Sequence, residues 1–395
     1  MDFDFSFRPN EGLPMSAHAK LREAGPVVWS DALDAWLISS HKAVKTVLGD
    51  VKRFTNKGTA VETQLAAESM LIYDTPLHNV MRAVWTASSS RAALLARAAE
   101  LQANAAKVLE AVRAPLQAGG TVDLMPVLQQ FGMEFIASSF GVARDRLEVF
   151  RHWAQMAADA PAMELDEGGE AKAKHAAVRA ELFDVIHHEI ADRRERFARG
   201  EVPEDLISQM VAAEGHGGIT KVMVADNIFN FIIGAMDTTE KWIGSVIIRL
   251  LISPDLQMRV KAEPAFLSAV MDEVMRVDTV AQILMRRVKE GGAELEGQVL
   301  KEGDAILIML GAANSDPDEF DDPATFNPDR PTRPNIGFGF GFHHCLGINI
   351  ARQQATAFVT ELMNGFPDLR VIATDYGTSW ALWGPRRLEV ARAAA

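Results

Sequence analysis

The fold of this chain is decided by the stretch Phe338-Gly339-Phe340-Gly341-Phe342-His343-His344-Cys345-Leu346-Gly347. It contains Cys345, the only cysteine among 395 residues, which excludes intramolecular disulfides and multi-cysteine zinc or iron–sulfur sites. A lone cysteine is usually an inert buried side chain. Here the spaced glycines allow a tight turn and close approach of the backbone to a flat ligand. Residues 348–361 have helical composition, and a helix dipole there would stabilise a thiolate at Cys345.

Outward from this stretch, most of the chain has helical composition. Residues 311–342, rich in Asp, Pro, Gly and Phe, are predicted to form a long ordered loop that leads into Cys345. Helices are predicted over 91–118, 144–157, 170–199 and 220–253. Short β-like runs occur at 27–38, 285–288, 305–309, 369–372 and 388–390. The sequence therefore predicts a mainly α protein with small β-sheets.

The segment 220–253 is predicted to begin with an N-cap at Thr220. A continuous helix over it would be about 50 Å long and would cross the molecule. Its middle, Gly234-Ala235-Met236-Asp237-Thr238-Thr239, holds small residues, an acid and two β-branched hydroxyls, which are poor helix formers. Such residues in the middle of an otherwise apolar helix indicate a functional requirement.

Composition excludes several classes of protein. The net charge of −13 argues against nucleic-acid binding. The acidic, non-basic start gives no secretion signal, and no stretch reaches the about 18 apolar residues of a membrane span, so a cytoplasmic location is predicted. Without linkers, repeats or low-complexity tracts, residues 1–395 are expected to form one domain.

The cysteine stretch resembles the haem-binding loop of the cytochrome P-450 family, whose pattern is Phe-Gly/Ser-x-Gly-x-Arg/His-x-Cys-x-Gly. The resemblance extends over roughly residues 13–390 and implies a single-domain fold, a triangular helical bundle around a buried haem b. It implies that Cys345 is the axial ligand of the iron. Phe338, Gly339, His343 and Gly347 would surround the cofactor, with His343 at a propionate.

Further segments follow in the order of the family. The pair His78 and Arg82 matches its His-x-x-x-Arg, which implies propionate contacts. Arg286 is expected at a propionate too, although its neighbour Arg287 remains an alternative. A structural ion-pair triad, assigned to folding around the haem, matches Glu273, Arg276 and Arg330.

The stretch 234–239 resembles the oxygen-activation segment of the family, with Ala235 where a second glycine is usual. The resemblance implies that Asp237 and Thr238 form the catalytic acid–alcohol pair. Reduction of O2 at iron consumes protons. Thr238 would hydrogen-bond the oxygen or an ordered water, and Asp237 would connect the site to bulk solvent.

The substrate pocket of the family maps onto mostly apolar residues, which suggests a small neutral hydrophobic substrate. They are Leu71, Phe231, Ile233, Gly234, Val280, Ile283, Leu284, Trp380 and Leu382. The ending at 379–385 and the stretches at 167–173 and 233–236 resemble members that O-demethylate lignin-derived methoxyaromatics, but those members lack the usual acid–alcohol pair. Hydroxylation of a terpenoid is equally compatible.

The expected activity is monooxygenation with O2 as co-substrate. No flavin or nicotinamide segment is visible, so a separate ferredoxin and an NAD(P)H-dependent reductase are the expected electron donors. The alternative is a haem-thiolate binding or sensor protein without turnover. The acid–alcohol pair at Asp237 and Thr238 favours the enzyme, because a sensor needs no proton delivery.

Overall fold

The computed structural model describes residues 15–59, 62, 67–143, 146, 148–150, 152, 170–331, 335–377 and 381–393. The helices in this part are α1 (Met15–Ala24), α2 (His41–Gly49), α3 (Leu77–Thr86), α4 (Arg91–Ala96), α5 (Ala98–Gln117), α6 (Met125–Phe140), α7 (Glu170–Ala198), α8 (Leu206–Ala212), α9 (Lys221–Ala235), α10 (Asp237–Leu251), α11 (Pro254–Ala262), α12 (Leu267–Val277), α13 (Leu310–Asn314) and α14 (Ile348–Gly365). Short 3-10 turns occupy Pro264–Phe266 and Gly341–His343.

Three small sheets accompany the helices in the described part of the chain. Their strands are β1 (Val27–Ser30), β2 (Ala35–Ile38), β3 (Phe54–Thr55), β4 (Val122–Asp123), β5 (Ile283–Val288), β6 (Ala293–Leu295), β7 (Gln298–Leu300), β8 (Ala305–Met309), β9 (Leu369–Asp375) and β10 (Arg387–Arg392). The largest sheet has the order β1-β2-β8-β5-β3, in which only the β2–β8 pair is parallel. The others are β4-β10-β9 and the hairpin β6–β7. The predicted mainly α class with small sheets is thereby confirmed.

Two predicted helices are divided in the structure. The segment 91–118 forms α4 and α5, which are separated at Arg97. The segment 220–253 forms α9 and α10, so the prediction of one continuous helix was wrong, although its N-cap at Thr220 is present and accepts the Met223 N–H. Most of 144–157 lies outside the described residues. The expectation of one domain over 1–395 also reaches beyond them and stays a prediction.

Helix α10 lies in the main hydrophobic core. Trp242, Ile243, Val246, Ile247 and Leu250 of this helix are each at most 1% exposed. Thr239, Glu240, Lys241 and Ser245 of the same helix are buried as well, so the helix is enclosed on most sides by other elements. Helix α6 packs on one side of it, and α12 and α14 pack on others. This enclosure fixes the first two turns of α10, from which Thr238, Thr239 and Trp242 face the candidate site.

In the part of the chain that the structure describes, no helix combines the length and the apolar character needed to cross a membrane.

Candidate active site

The cysteine loop forms a tight turn at the start of α14. Gly339 and Gly341 have φ angles of +74° and +71°, and a Cβ on Gly341 would lie 2.6 Å from the Leu48 carbonyl oxygen. The Cys345 N–H donates to the Phe338 carbonyl at 2.9 Å, which closes the turn. These contacts explain why the spacing of the glycines is required. The turn holds the sulfur at a fixed point beside the first residues of α14.

The surroundings of the Cys345 sulfur act on its charge in opposite directions. Burial raises the pKa of the thiol above its ordinary value. The backbone N–H groups of Gly347 and Ile348, which donate to the sulfur, and the positive charge of Arg82 lower it. A thiolate at this position is therefore disfavoured by desolvation and favoured by two donors and one cation. A bound cation at the sulfur would shift this balance toward the thiolate.

A cavity of about 320 Å³ separates this loop from α9 and α10. Its wall includes most of the predicted site residues, from the loop, from α9 and α10, and from α3, β5 and the segments that precede these two. They are Leu71, His78, Arg82, Phe231, Gly234, Ala235, Thr238, Val280, Leu284, Phe338, Gly339, His343, Cys345 and Gly347. A larger open cleft of about 1050 Å³ lies between α1, α2 and residues 316–319, and it contains none of the predicted site residues.

A group of basic side chains lies at one edge of the cavity. The rings of His78 and His343 pack edge to face with centroids 4.5 Å apart. Burial, together with the charges of Arg286, His78 and Arg82, lowers the pKa of His343 to about 3. The His78 Nδ1 atom lies 2.8 Å from the Met70 carbonyl oxygen, while its buried Nε2 atom has no hydrogen-bond partner. The group is therefore suited to an anion.

The structure distinguishes the two adjacent arginines of β5. Arg286 is 6% exposed and donates to the Asn56 side-chain oxygen at 2.5 Å, and burial lowers its pKa to about 10. Arg287 is turned the other way and donates to the carbonyls of Gly58 and Gly303, each at 2.9 Å. Of these two arginines, only Arg286 acts on the pKa of His343. Arg286 lies behind the cavity wall rather than in it.

The junction of α9 and α10 lies at Met236, whose φ and ψ are −85° and −90°. Beside it, the Thr238 hydroxyl donates to the Gly234 carbonyl at 2.8 Å and faces the cavity. Asp237 does not line the cavity. Both of its carboxylate oxygens accept from Lys241 Nζ, with 2.5 Å to Oδ1. The predicted acid is thus held by an ammonium group that the sequence interpretation did not consider.

A second acid lies one turn further along α10. Glu240 is 4% exposed, and its Oε1 atom has no hydrogen-bond partner. Burial and the negative charge of Asp237 raise its pKa well above the ordinary value, against the opposing effect of Lys241. Glu240 and Lys241 were both missed from the sequence. The i,i+4 spacing of Asp237 and Lys241 was the signal that could have identified the latter.

The three predicted triad residues lie together behind the cysteine loop. Arg276 donates to both carboxylate oxygens of Glu273 at 2.6 and 2.9 Å, and Arg330 Nε lies 3.5 Å from the same carboxylate. Arg276 also donates to the carbonyls of Asn314 and Pro323. The triad therefore fastens the segment that precedes the cysteine loop to α12. The predicted long loop, 311–342, begins in the structure with the helix α13 and ends in the 3-10 turn Gly341–His343, and residues 332–334 of it lie outside the described residues.

Comparison with known proteins matches residues 22–367 to the model of the family described as "Cytochrome P450". The chain belongs to the cytochrome P450 family. A relative in Saccharopolyspora erythraea, cytochrome P450 107B1, is 27% identical over 89% of this chain and 86% of its own length. The steroid C26-monooxygenase of Mycolicibacterium smegmatis is 25% identical over 94% and 89%. Epothilone B-bound cytochrome P450epoK has the same fold, with a TM-score of 0.87, 23% identity and full coverage of both chains.

As a cytochrome P450, the chain is a monooxygenase that carries haem b and uses O2. The described residues fit that cofactor on two grounds. The orphaned Nε2 of His78 and the basic group around His343 suit the haem propionates. The backbone donors at the Cys345 sulfur suit an iron-bound thiolate.

Some predicted wall residues lie elsewhere. Ile283 faces the opposite side of β5 and packs near Leu21, Leu37 and Met309, because alternate strand residues point to opposite faces. Ile233 packs against the main core. Leu382 pairs with Ala281 in an isolated β-bridge and does not line the cavity. Trp380 lies outside the described residues.

Several wall residues were missed by the sequence interpretation. They are Met70, Asn230, Thr239, Trp242, Met275, Ala281, Leu310, Gly337, His344, Leu346, Ile350 and Ala351. Asn230 is one helical turn before Gly234, and Thr239 and Trp242 continue the same helical region, so helical spacing could have identified them. Met275 and Leu310 reach the cavity only through tertiary packing.

Proposed function

We propose that this cytochrome P450 oxidises a small neutral hydrophobic compound, by hydroxylation or oxidative O-demethylation of an aromatic or terpenoid substrate. One atom of O2 enters the substrate, and the other leaves as water with two protons and two electrons. O-demethylation follows when the oxygen enters a methoxy methyl group, which then departs as formaldehyde. The observation that carries the proposal is the cavity shared by Cys345 and Thr238.

Cys345 is proposed as the axial ligand. Haem b, when bound, supplies the iron at which O2 is reduced. The N–H groups of Gly347 and Ile348 would donate to the bound sulfur and temper its electron donation. Phe338, which packs edge to face on Trp242 with centroids 5.3 Å apart, would support the cofactor beside the sulfur.

The basic group is proposed to hold the propionates. His78, Arg82, His343 and Arg286 would supply the donors, with Arg286 preferred over Arg287 because of its burial and its orientation. His78 would serve two partners, since Nδ1 already bonds the Met70 carbonyl. Met70 and Leu71 border the cavity. The His78 ring would therefore hold both the haem propionate and the segment that faces the substrate.

Proton delivery is proposed to involve Thr238 and Asp237. The Thr238 hydroxyl reaches the cavity and can donate there when it leaves the Gly234 carbonyl. Asp237 adjoins it in sequence and is 18% exposed, which gives it access to solvent. Because both oxygens of Asp237 accept from Lys241, proton transfer through this acid requires that the ion pair loosen.

The substrate class is proposed from the cavity wall. Away from the basic edge and the cysteine loop, the wall consists mainly of apolar side chains such as Leu71, Phe231, Val280 and Leu284. An anionic or cationic substrate would lose its hydration there without a fixed partner. Besides Thr238, the polar side chains on the α9 and α10 side that could orient a substrate oxygen are Asn230 and Thr239.

Electrons are proposed to come from a separate ferredoxin, itself reduced by an NAD(P)H-dependent reductase. Phe340 and Phe342 of the cysteine loop are 39% and 40% exposed, which is unusual for large apolar side chains. Lys45 lies over the Phe340 ring at 5.0 Å. An exposed aromatic pair with an adjacent cation suits an acidic electron carrier. Electrons would then enter close to Cys345.

The test is the spectrum of the reduced, carbon monoxide-treated protein. The wild type should show the red-shifted Soret band that is typical of a haem thiolate. Cys345→Ser should lose that band. A wild-type spectrum without it would refute the central claim. A screen of neutral methoxyaromatics and monoterpenoids for spin-state shifts then tests the substrate class, with carboxylated analogues as the matched controls.

A further inference from the structure

Lys241 has an unusual position for a lysine. Its side chain is 3% exposed, in α10, one turn after Asp237. A buried ammonium group is costly unless it is paired and hydrogen-bonded. Its Nζ is paired with both oxygens of Asp237, and this order of acid and base along a helix is the favourable one. The pair is therefore a persistent contact, and Asp237 is committed to it.

The C-terminal turn, residues 381–385, rests directly on Lys241. A Cβ on Gly384 would lie 2.3 Å from the Lys241 Cβ and 3.0 Å from its Cα. One helical turn further, a Cβ on Gly244 would lie 2.6 Å from Pro385 Cγ. Glycine is thus required at both points of contact. A shift of the C-terminal turn toward α10 would press on the stem of Lys241, because the space beside Gly384 does not hold even a methyl group.

The same C-terminal turn is bonded to the cavity wall. Trp383 N–H donates to the Val280 carbonyl at 2.6 Å, and Gln282 N–H donates to the Ala381 carbonyl at 2.9 Å. Between these bonds, Ala281 and Leu382 form the isolated β-bridge. Val280 and Ala281 line the cavity. One short segment therefore contacts the substrate-facing wall on one side and Lys241 on the other.

We propose that Lys241 is a positioning residue that withholds Asp237 from proton delivery, and that the C-terminal turn relays substrate contact at residues 280–281 to this ion pair. The proposal rests on the proposed function. Without substrate, both Asp237 oxygens stay on Lys241 and O2 reduction is suppressed. Substrate that displaces Val280 and Ala281 shifts the C-terminal turn, moves the Lys241 stem and frees the carboxylate beside Thr238.

The test uses the holoenzyme without substrate or electron carrier. The iron is reduced with dithionite, the excess is removed, and reoxidation in air is followed at the Soret band. Each reoxidised iron gives one electron to O2, which takes up a proton as it leaves. Lys241→Met should reoxidise about fivefold faster than wild type, a modest coupling between sites. The double variant that combines Asp237→Asn with Lys241→Met should reoxidise at the wild-type rate or more slowly. Equal rates in wild type and Lys241→Met would overturn the proposal.

A second variant tests the contact with the C-terminal turn while the charge of Lys241 is kept. Gly384→Ala should also accelerate reoxidation, because the added methyl group displaces the turn from Lys241. Gly365→Ala, where an added Cβ meets nothing within 4 Å, is the control for the methyl group itself and should behave as wild type. Because Gly384 has a φ of +144°, Gly297→Ala, at a φ of +78° and again with nothing within 4 Å of an added Cβ, is the control for backbone strain and should also behave as wild type. If Lys241→Met does not retain haem, Gly384→Ala carries the test. A Gly384→Ala rate equal to that of Gly365→Ala would refute the relay.

Unfolding of the holoenzyme in urea provides a readout that is independent of activity. Lys241→Met should lower the urea midpoint in the wild-type background and should not lower it in the Asp237→Asn background, where it removes a buried ammonium that has already lost its carboxylate. Equal losses in both backgrounds would show that the pair does not hold Asp237. Failure of the proposed function would be distinguished from failure of this proposal by the wild-type protein, which would then lack the red-shifted Soret band after reduction and carbon monoxide treatment.

Discussion

His78 and His343 pack edge to face at the rim of the cavity, with ring centroids 4.5 Å apart, although they belong to α3 and to the cysteine loop. The contact places two imidazole rings close to the positive charges of Arg82 and Arg286. Burial and these charges lower the pKa of His343, which means that further positive charge is disfavoured there. The arrangement becomes favourable when an anion binds.

Replacement of His78 tests this relationship. His78→Ala should release haem about tenfold faster to an acceptor such as apomyoglobin, since a hydrogen bond to a charged group is lost. The bond to the Met70 carbonyl is lost as well, so substrate-induced spectral shifts should weaken. The control is His216→Ala, at an exposed histidine outside the cavity. Equal haem release from both variants would contradict the assignment.

The adjacent arginines of β5 provide a matched pair. Arg286→Ala should accelerate haem release, because its buried guanidinium acts on His343 and fixes Asn56. Arg287→Ala removes bonds to two loop carbonyls on the other side of the strand, so it should change the unfolding midpoint slightly and haem release little. Haem dissociation and urea unfolding are measured on both. The reverse order of haem release would exchange the proposed roles.

The triad predicts a stability effect that is separate from chemistry. Glu273→Gln should destabilise the protein by about 3 kcal/mol, because it leaves the buried Arg276 guanidinium without its counter-charge. The loss is measured as the change in unfolding free energy in urea. Glu263→Gln, at an exposed glutamate in the turn before α12, should leave stability nearly unchanged. A similar small effect of both changes would argue against the triad as a structural clamp.

The fold class and the cysteine loop could be predicted from the sequence because both depend on local patterns. The glycine spacing determines the turn at Cys345, and helical composition predicts most of α5 and α14. The ion-pair triad was predicted because its members belong to recognisable short motifs. The strand alternation of β5 could also have excluded Ile283 from the wall once Leu284 was included.

The remaining features depend on contacts between distant segments. Helix propensity marked residues 234–239 as poor helix formers, but it did not predict that the helix ends at Ala235 and a new one begins at Asp237. At this junction the Thr238 hydroxyl donates to the Gly234 carbonyl. The burial of Lys241 depends on Gly384, far along the chain. A lysine after a row of polar residues appears solvent-exposed in a sequence, so only the packed structure reveals that it is enclosed.

Glu240 predicts a dependence of stability on pH. Burial raises its pKa in the folded protein well above the value of about 4.5 expected in the unfolded chain. Below about pH 4.5 the carboxyl of Glu240 is protonated in both the folded and the unfolded protein, so its raised pKa does not change the free energy of unfolding. As the pH rises above about 4.5, the unfolded chain releases the proton while the folded protein retains it, so this group lowers stability with rising pH until the folded pKa is reached.

Glu240→Gln removes this pH dependence of stability, because the amide is neutral at every pH. Its urea midpoint should therefore exceed that of wild type by more at about pH 8 than at about pH 5. The difference is specific to a buried acid, and Glu302→Gln, at an exposed glutamate, should show none. Asp237 and Lys241 are the charged groups that act on Glu240, and Gly132 of α6 lies across from its Oε1. A pH-independent difference between wild type and Glu240→Gln would mean that Glu240 ionises alike in the folded and unfolded protein, with Lys241 stabilising its carboxylate enough to offset burial.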